Sequence, residues 1–178
     1  MYTTLNKIRA HRPCADGWTK LRRHLGKTKP DDEPVSIITV LDSNGLGDAL
    51  WCLRAVDGHD REIRLYGVWC ARQVQHLMTD PRSIAALDVV EQYANGLATQ
   101  RDLDAAQADA ESAAFAAVGG VAWAAALAAS GSASGSAASA ASRAASWAGL
   151  WAGLWAARAA RLREVCAEIE RAAQGERG

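Results

Sequence analysis

The chain has no net charge: its 20 basic and 20 acidic side chains cancel. The balance is also local, with 13 basic against 12 acidic residues over positions 1–100. A domain that grips a nucleic-acid backbone ordinarily shows a basic excess, so composition argues against that class. The opening "MYTTLNKIRAHRPC" lacks an apolar run of signal-peptide length, and a cytoplasmic protein is expected. Cysteine is sparse and unpaired in sequence: Cys14, Cys52, Cys70 and Cys166 form no CxxC. In a reducing compartment they read as buried small hydrophobes and not as bridges. No Walker loop, GxSxG, HExxH or dinucleotide fingerprint is present. The expectation is a protein that is not an enzyme and needs no cofactor.

At 178 residues, 49% of them hydrophobic, the chain can bury a core as one domain without metals or disulfides. Two territories are visible within it. Residues 1–98 have normal composition with apolar positions at helical spacing, and predict an irregular helical array. Helices are expected over Thr4–His11 and Asp16–Leu25, with Gly26 as a stop. "DDEPVSIITVLDSNG" reads as an acidic cap, a proline in the first turn, a helix and an Asn-Gly stop. Its β-branched run Ile37–Val40 would also suit a strand, but no partner strand is apparent. "NGLGDALWCLRAVDG" predicts a short helix, and a longer one starts near Asp60. In that longer helix Ile63, Tyr66, Cys70, Val74 and Leu77 share one stripe, while Leu65, Val68 and Trp69 fall on another side. Asp80 and Pro81 open the next helix as cap and first residue, and Asn95–Gly96 close it.

Residues 99–174 form the second territory, opened by a capping box at Thr99–Asp102. Alanine has the highest helix propensity, and the only charge between Ser112 and Ala157 is Arg143. An antiparallel helical hairpin follows, with helices over about 100–129 and 137–173 and a turn at "SGSASGS". Its second arm contains "SWAGLWAGLWAARAARL", with Trp147, Trp151 and Trp155 four residues apart. Four residues advance a helix by about 400°, so each tryptophan drifts about 40° from the last. They line up with Leu154, Leu162, Val165 and Ile169 as an apolar stripe, the spine of a packed helix. A membrane span through Ala113–Ser130 is the alternative, weakened by its serines and glycines and by the lack of basic brackets.

Candidate chemistry is thin. His11 and Cys14 have HxxC spacing, yet no second close pair exists to complete a zinc site. "DGHDRE" gathers Asp57, His59, Asp60, Arg61 and Glu62, which also serve as a helix cap and first turn. "KLRRHLGKTK" brings Lys20, Arg22, Arg23, Lys27 and Lys29 together. It suits an acidic partner or phosphates, and equally a solvated helix C-terminus. The dipeptide Trp-Cys recurs at Trp51–Cys52 and Trp69–Cys70, each followed two residues later by an arginine, Arg54 and Arg72. Arg22, Arg23, Arg54, Arg61 and Arg72 are the candidate partner-contact residues.

Several of these segments together resemble a known group. "DSNGLGDALWCLRAV" is similar to a family element of the type LxDALWALR. "HDREIRLYGVWCARQVQHLMTDPRSIAALDVVEQYANGLAT" is similar to its next element, in which an (R)LxAxxCA helix precedes a DxRxxxA[IL][ED] helix and a Tyr/Phe-Ala-x-Gly stop. The likeness, over residues 10–165, is to the immunity-protein family of bacterial polymorphic toxin systems and related alanine-rich phage and prophage proteins. It implies a chain that binds a protein target, a toxin or a host defence component, and it carries over no catalytic residues. The family's tails intersperse Asp and Arg where this chain has Ser, Gly and Leu. The expected architecture is a single all-α domain over 1–178 with about seven helices. The alternatives are a membrane-associated protein or a nucleic-acid binder acting through residues 20–29.

Overall fold

A computed structural model describes residues 1–116 and 155–175 of the chain. The protein is all-α: the described residues form eight α-helices and one pair of two-residue strands. Short polar side chains set most of the helix starts. Thr4 accepts from the Lys7 amide ahead of α1 (Leu5–Ala10), and Cys14 caps α2 (Ala15–His24) through its thiol. Ser36 accepts from the Ile38 amide ahead of α3 (Ile37–Asn44). Gly45, at φ 94°, ends α3 and opens α4 (Leu46–Cys52), a backbone conformation that disfavours any other residue. One 3-10 turn, Leu53–Ala55, extends α4, and a second, Gln75–Leu77, follows α5 (Asp60–Arg72). Asp80 caps α6 (Pro81–Ala94), and the capping box is realised: Thr99 and Asp102 bond reciprocally at the start of α7 (Gln100–Ala116). The last helix, α8, is Trp155–Gly175.

Three expectations are corrected here. A strand partner does exist: Tyr2–Thr3 (β1) pairs antiparallel with Val35–Ser36 (β2), with Tyr2 opposite Ser36 and Thr3 opposite Val35. Pro34 therefore lies ahead of β2, and the helix starts later, at Ile37. Leu77 leaves the stripe of α5 and is 36% exposed in its 3-10 turn. The third correction concerns α8, where Trp155 is 42% exposed while Arg158, Leu162, Val165 and Cys166 are buried. Arg158 sits at about 20° on the wheel, inside the stripe, whereas Trp155 at about 80° is exposed although Cys166 at about 100° is buried, so the wheel angle alone does not set burial along α8. Trp147, Trp151, Leu154, the hairpin turn and most of the proposed membrane stretch lie outside the described residues.

The chain divides into two compact units, Met1–His59 with Ala159–Gly178, and Asp60–Arg158. The first has a core of Leu5, Ile8, Ile37, Val40, Leu50 and Leu53. Its strand pair is tied down by Thr3, whose hydroxyl donates to the Ala55 carbonyl at 2.5 Å. Arg163 of α8 pairs with Asp42 of α3, and that contact holds the Asp42 carboxyl below its ordinary range. In the second unit α6 packs against α5 and α7, with Val68, Val90 and Leu103 sealed together and Tyr93 against them. Each such fully buried aliphatic side chain stabilises the fold by roughly 1.5–3 kcal/mol.

Candidate functional site

Helices α1 to α4 enclose a pocket of about 90 Å³ in the first unit. Ile8, Leu21 and Val40 give it an aliphatic floor, Trp18 and Trp51 two aromatic walls, and Pro13, Cys14, Gly17, Asn44, Asp48 and Cys52 the remaining lining. Its shape depends on Gly17. A β-carbon there would stand 2.6 Å from Asp48 Oδ2 and 3.1 Å from Cys14 Sγ, so any side chain at this position would have to displace the Asp48 carboxylate. Asn44 clamps the approach, donating from Nδ2 to the Gly17 carbonyl at 2.8 Å and to Asp48 Oδ2 at 2.7 Å. Its Oδ1 accepts from the Ser43 hydroxyl at 2.8 Å, which fixes the amide's orientation.

Both tryptophans carry a guanidinium. Arg22 lies over the Trp18 ring at 5.4 Å from the centroid, and Arg54 over Trp51 at 4.3 Å. These are i,i+4 and i,i+3 spacings, which a helical turn brings onto one face. Arg22 also donates to the Thr28 carbonyl at 2.5 Å, and its buried Nε has no partner among the described residues. Arg54 donates through Nε to the Trp51 carbonyl at 2.8 Å, and partial burial lowers its pKa. Arg9, Arg12, Lys20, Arg23 and Lys29 are exposed, and no carboxylate among the described residues pairs with them. Lys27 differs: it bonds Asp31 at 2.7 Å and Glu33 at 2.6 Å, and those contacts raise its pKa.

The five arginines singled out from sequence thus separate. Arg22, Arg23 and Arg54 belong to the pocket's unit, and two of them stack on its tryptophans. Arg61 and Arg72 lie in the second unit and are engaged by its own side chains. Arg61 reaches Asn95 Oδ1 at 2.7 Å and Glu62 at 3.4 Å. Arg72 bonds Asp88 at 2.8 Å and Glu91 at 2.7 Å. The two Trp-Cys copies therefore differ: Arg54 covers its tryptophan, while Arg72 turns to carboxylates and Trp69 stacks with Tyr66 instead.

Three cysteines are buried as expected, but Cys14 is exposed, because it is the N-cap of α2, accepting from the Gly17 amide at 3.4 Å. Burial pushes the Cys52 thiol up to about 12, and the Asp48 charge adds to this. The pocket lining thus holds two thiols, Cys14 and Cys52, an amide and a carboxylate, and no histidine. Asp57 bonds Lys7 at 2.6 Å, away from the pocket lining. No group of three or more His, Cys, Asp or Glu among the described residues could hold a metal ion. No helix among them is long and apolar enough to cross a membrane.

Arg158 is the residue that sequence reasoning missed. It is fully buried in the second unit, and the neighbour that its guanidinium meets there is the Cys70 thiol. Tyr66 donates to the Arg158 carbonyl at 3.2 Å. Burial raises the Cys70 thiol to about 11, with Tyr66 and the Arg158 charge offsetting part of the rise. Its helical-wheel angle was the available signal. Fold and site together define an all-α protein with a pocket walled by two tryptophans, each of which carries an arginine. No protein-family model, curated protein or solved structure matches the chain.

Proposed function

We propose that the protein is a non-enzymatic binder that acts in the cytoplasm by engaging a protein target directly. The target is a toxin, for an immunity role, or a host defence component, for a phage accessory role. The observation that carries this reading is the pocket of α1–α4 with Arg22 and Arg54 stacked on its tryptophans. Aromatic and arginine side chains in a partly buried cluster are what protein interfaces concentrate at their centres. The resemblance of residues 10–165 to the immunity-protein group supports the same assignment.

The test is a pull-down from the source cell at several salt concentrations, with the native chain and the Arg22→Glu, Arg23→Glu double variant as baits. The expected result is a protein retained by the native chain and lost from the variant, more weakly held as salt rises. Recovery of no protein at any salt concentration removes the reading.

A further inference from the structure

Two copies of the tripeptide Asn-Gly-Leu stand at helix C-termini, Asn44–Leu46 at the end of α3 and Asn95–Leu97 at the end of α6. In an Asn-Gly pair the glycine nitrogen attacks the asparagine side chain unhindered, because glycine places no side chain in the way. We infer that Asn95–Gly96 is a site of spontaneous modification, promoted by Arg61, and that the fold protects Asn44–Gly45 from the same reaction. The Gly96 nitrogen bonds to Asn95 Cγ, and Nδ2 departs as ammonia with the proton that the Gly96 amide gives up. Water then opens the resulting succinimide at either carbonyl and leaves aspartate or isoaspartate. No oxidant or further reactant is required.

The same tripeptide meets two surroundings. Ring closure requires the glycine amide to leave its hydrogen bond and the helical asparagine backbone, at ψ 6° in Asn95, to turn. Asn95 and Gly96 are exposed and Leu97 is 78% exposed. Opening there costs only the Gly96 amide's bond to the Tyr93 carbonyl and the Leu97 amide's bond to the Gln92 carbonyl. Asn44 and Gly45 are half-buried, and Leu46 is buried. The Gly45 amide closes α3 on the Leu41 carbonyl, and the Gly45 carbonyl opens α4 by accepting from Ala49, so the same turn would pull two helix ends apart. Charge acts in the same direction, because attack at Cγ draws negative charge onto Oδ1. At Asn95 that oxygen accepts from Arg61 Nη2 at 2.7 Å, a cation placed where the charge develops. Arg61 Nη1 meets Glu62 at the longer distance of 3.4 Å. At Asn44 the oxygen has the neutral Ser43 hydroxyl, while the Asp48 carboxylate lies 2.7 Å from Nδ2 and opposes the step. An aspartate in place of Asn95 keeps Arg61 as an ion-pair partner, whereas one in place of Asn44 would face Asp48. Modification thus adds negative charge to the second unit and leaves the pocket lined by Asn44 intact.

The full chain is incubated in mildly alkaline heavy-oxygen water at physiological temperature, both folded and in urea. Mass spectrometry follows label uptake at the two sites, which fall in separate tryptic peptides. In urea both sites convert at similar rates, since the reacting tripeptides are identical. In the folded protein Asn95 converts faster than Asn44 by about tenfold or more. The Arg61→Gln variant slows conversion of folded Asn95 by about tenfold, less than a donor removed from a closed active site because this one is exposed to solvent. In urea the same variant converts like the native chain. Arg61 is 56% exposed, so its replacement leaves the packing of α5 untouched. Equal conversion of the two sites in the folded protein, or faster conversion at Asn44, overturns the inference. So does an Asn95 that stays intact over a time in which the unfolded chain converts, and so does an unchanged or higher rate in Arg61→Gln.

Discussion

Two arginines of the first unit lie on tryptophan rings, whereas three of the second bond to carboxylates and an amide of that unit. Arg22 and Arg54 show the first pattern; Arg61, Arg72 and Arg82 show the second. Arg64 is the instructive intermediate: it stacks on Tyr93 at 5.0 Å but is buried, and that burial lowers its pKa. The helices differ in the same sense. In the second unit α6 is packed on both sides and Leu103 is fully buried, while in the first the four short helices leave a pocket against buried Leu21. A cation held on an aromatic face still has hydrogen-bond donors to offer. A cation between two carboxylates is neutralised, and has stabilised its own fold instead.

The contrast is open to direct attack, first through packing. Leu103→Ala should cost about 2–5 kcal/mol in denaturant unfolding, because it opens a closed cavity. Leu21→Ala should fall at or below the lower end of that range, since it enlarges a space that already exists. A larger loss for Leu21→Ala would break the comparison.

Alkaline pH should act next. Cys52 and Cys70 have native pKa values raised to about 12 and about 11 from an ordinary 9.0. Below pH 9 both states hold these protons; above it the unfolded chain loses them first, so stability is lost as pH rises through 9 toward 11 and 12. The slope is about 1.4 kcal/mol per pH unit for each thiol that titrates this way. The Cys52→Ala, Cys70→Ala double variant should flatten that part of a stability–pH profile, and thiol titration of the native protein below pH 9 should modify Cys14 alone.

Arginine replacement is a subtler probe. Arg72→Ala should cost about 0.5–1 kcal/mol, and less in high salt, because its ion pairs are partly exposed. Arg54→Ala should cost a similar or smaller amount, about 0.5–1 kcal/mol, with little salt dependence. On target binding the order should reverse, with Arg54→Ala weakening it and Arg72→Ala leaving it unchanged in a competition assay. The smallest effect expected is from Cys14→Ser, a stabilisation of a few tenths of a kcal/mol, roughly, since serine is the better helix cap. Thermal unfolding followed by circular dichroism would register it.

Local physical chemistry made much of this protein legible without coordinates. Asp80–Pro81, Asn95–Gly96, Thr99–Asp102 and Gly26 mark helix ends by hydrogen bonds or backbone angles that involve only neighbouring residues. The all-α class followed from them; burial was expected of all four cysteines as small hydrophobes, and Cys52, Cys70 and Cys166 are buried while Cys14 is not. Of the candidate site, the arginines were visible as residues but their fates were not. Trp51–Cys52 and Trp69–Cys70 are alike in sequence, and only Asp88 and Glu91 on α6 distinguish Arg72 from Arg54.

What tertiary structure alone decided has a common cause: contacts between residues far apart in the chain. Thr3 meets Val35 across a two-residue ladder too short to leave a period-2 pattern. Gly17, a nondescript helical glycine in sequence, becomes the point where α2 closes on Asp48 and the pocket forms. Arg158 is buried because the stripe it occupies is covered, and a helical wheel gives an angle without saying which side a neighbour will cover. Helix ends are specified by neighbours within one turn, so the sequence determined them. The pocket and the division of labour among the arginines required the helices to meet.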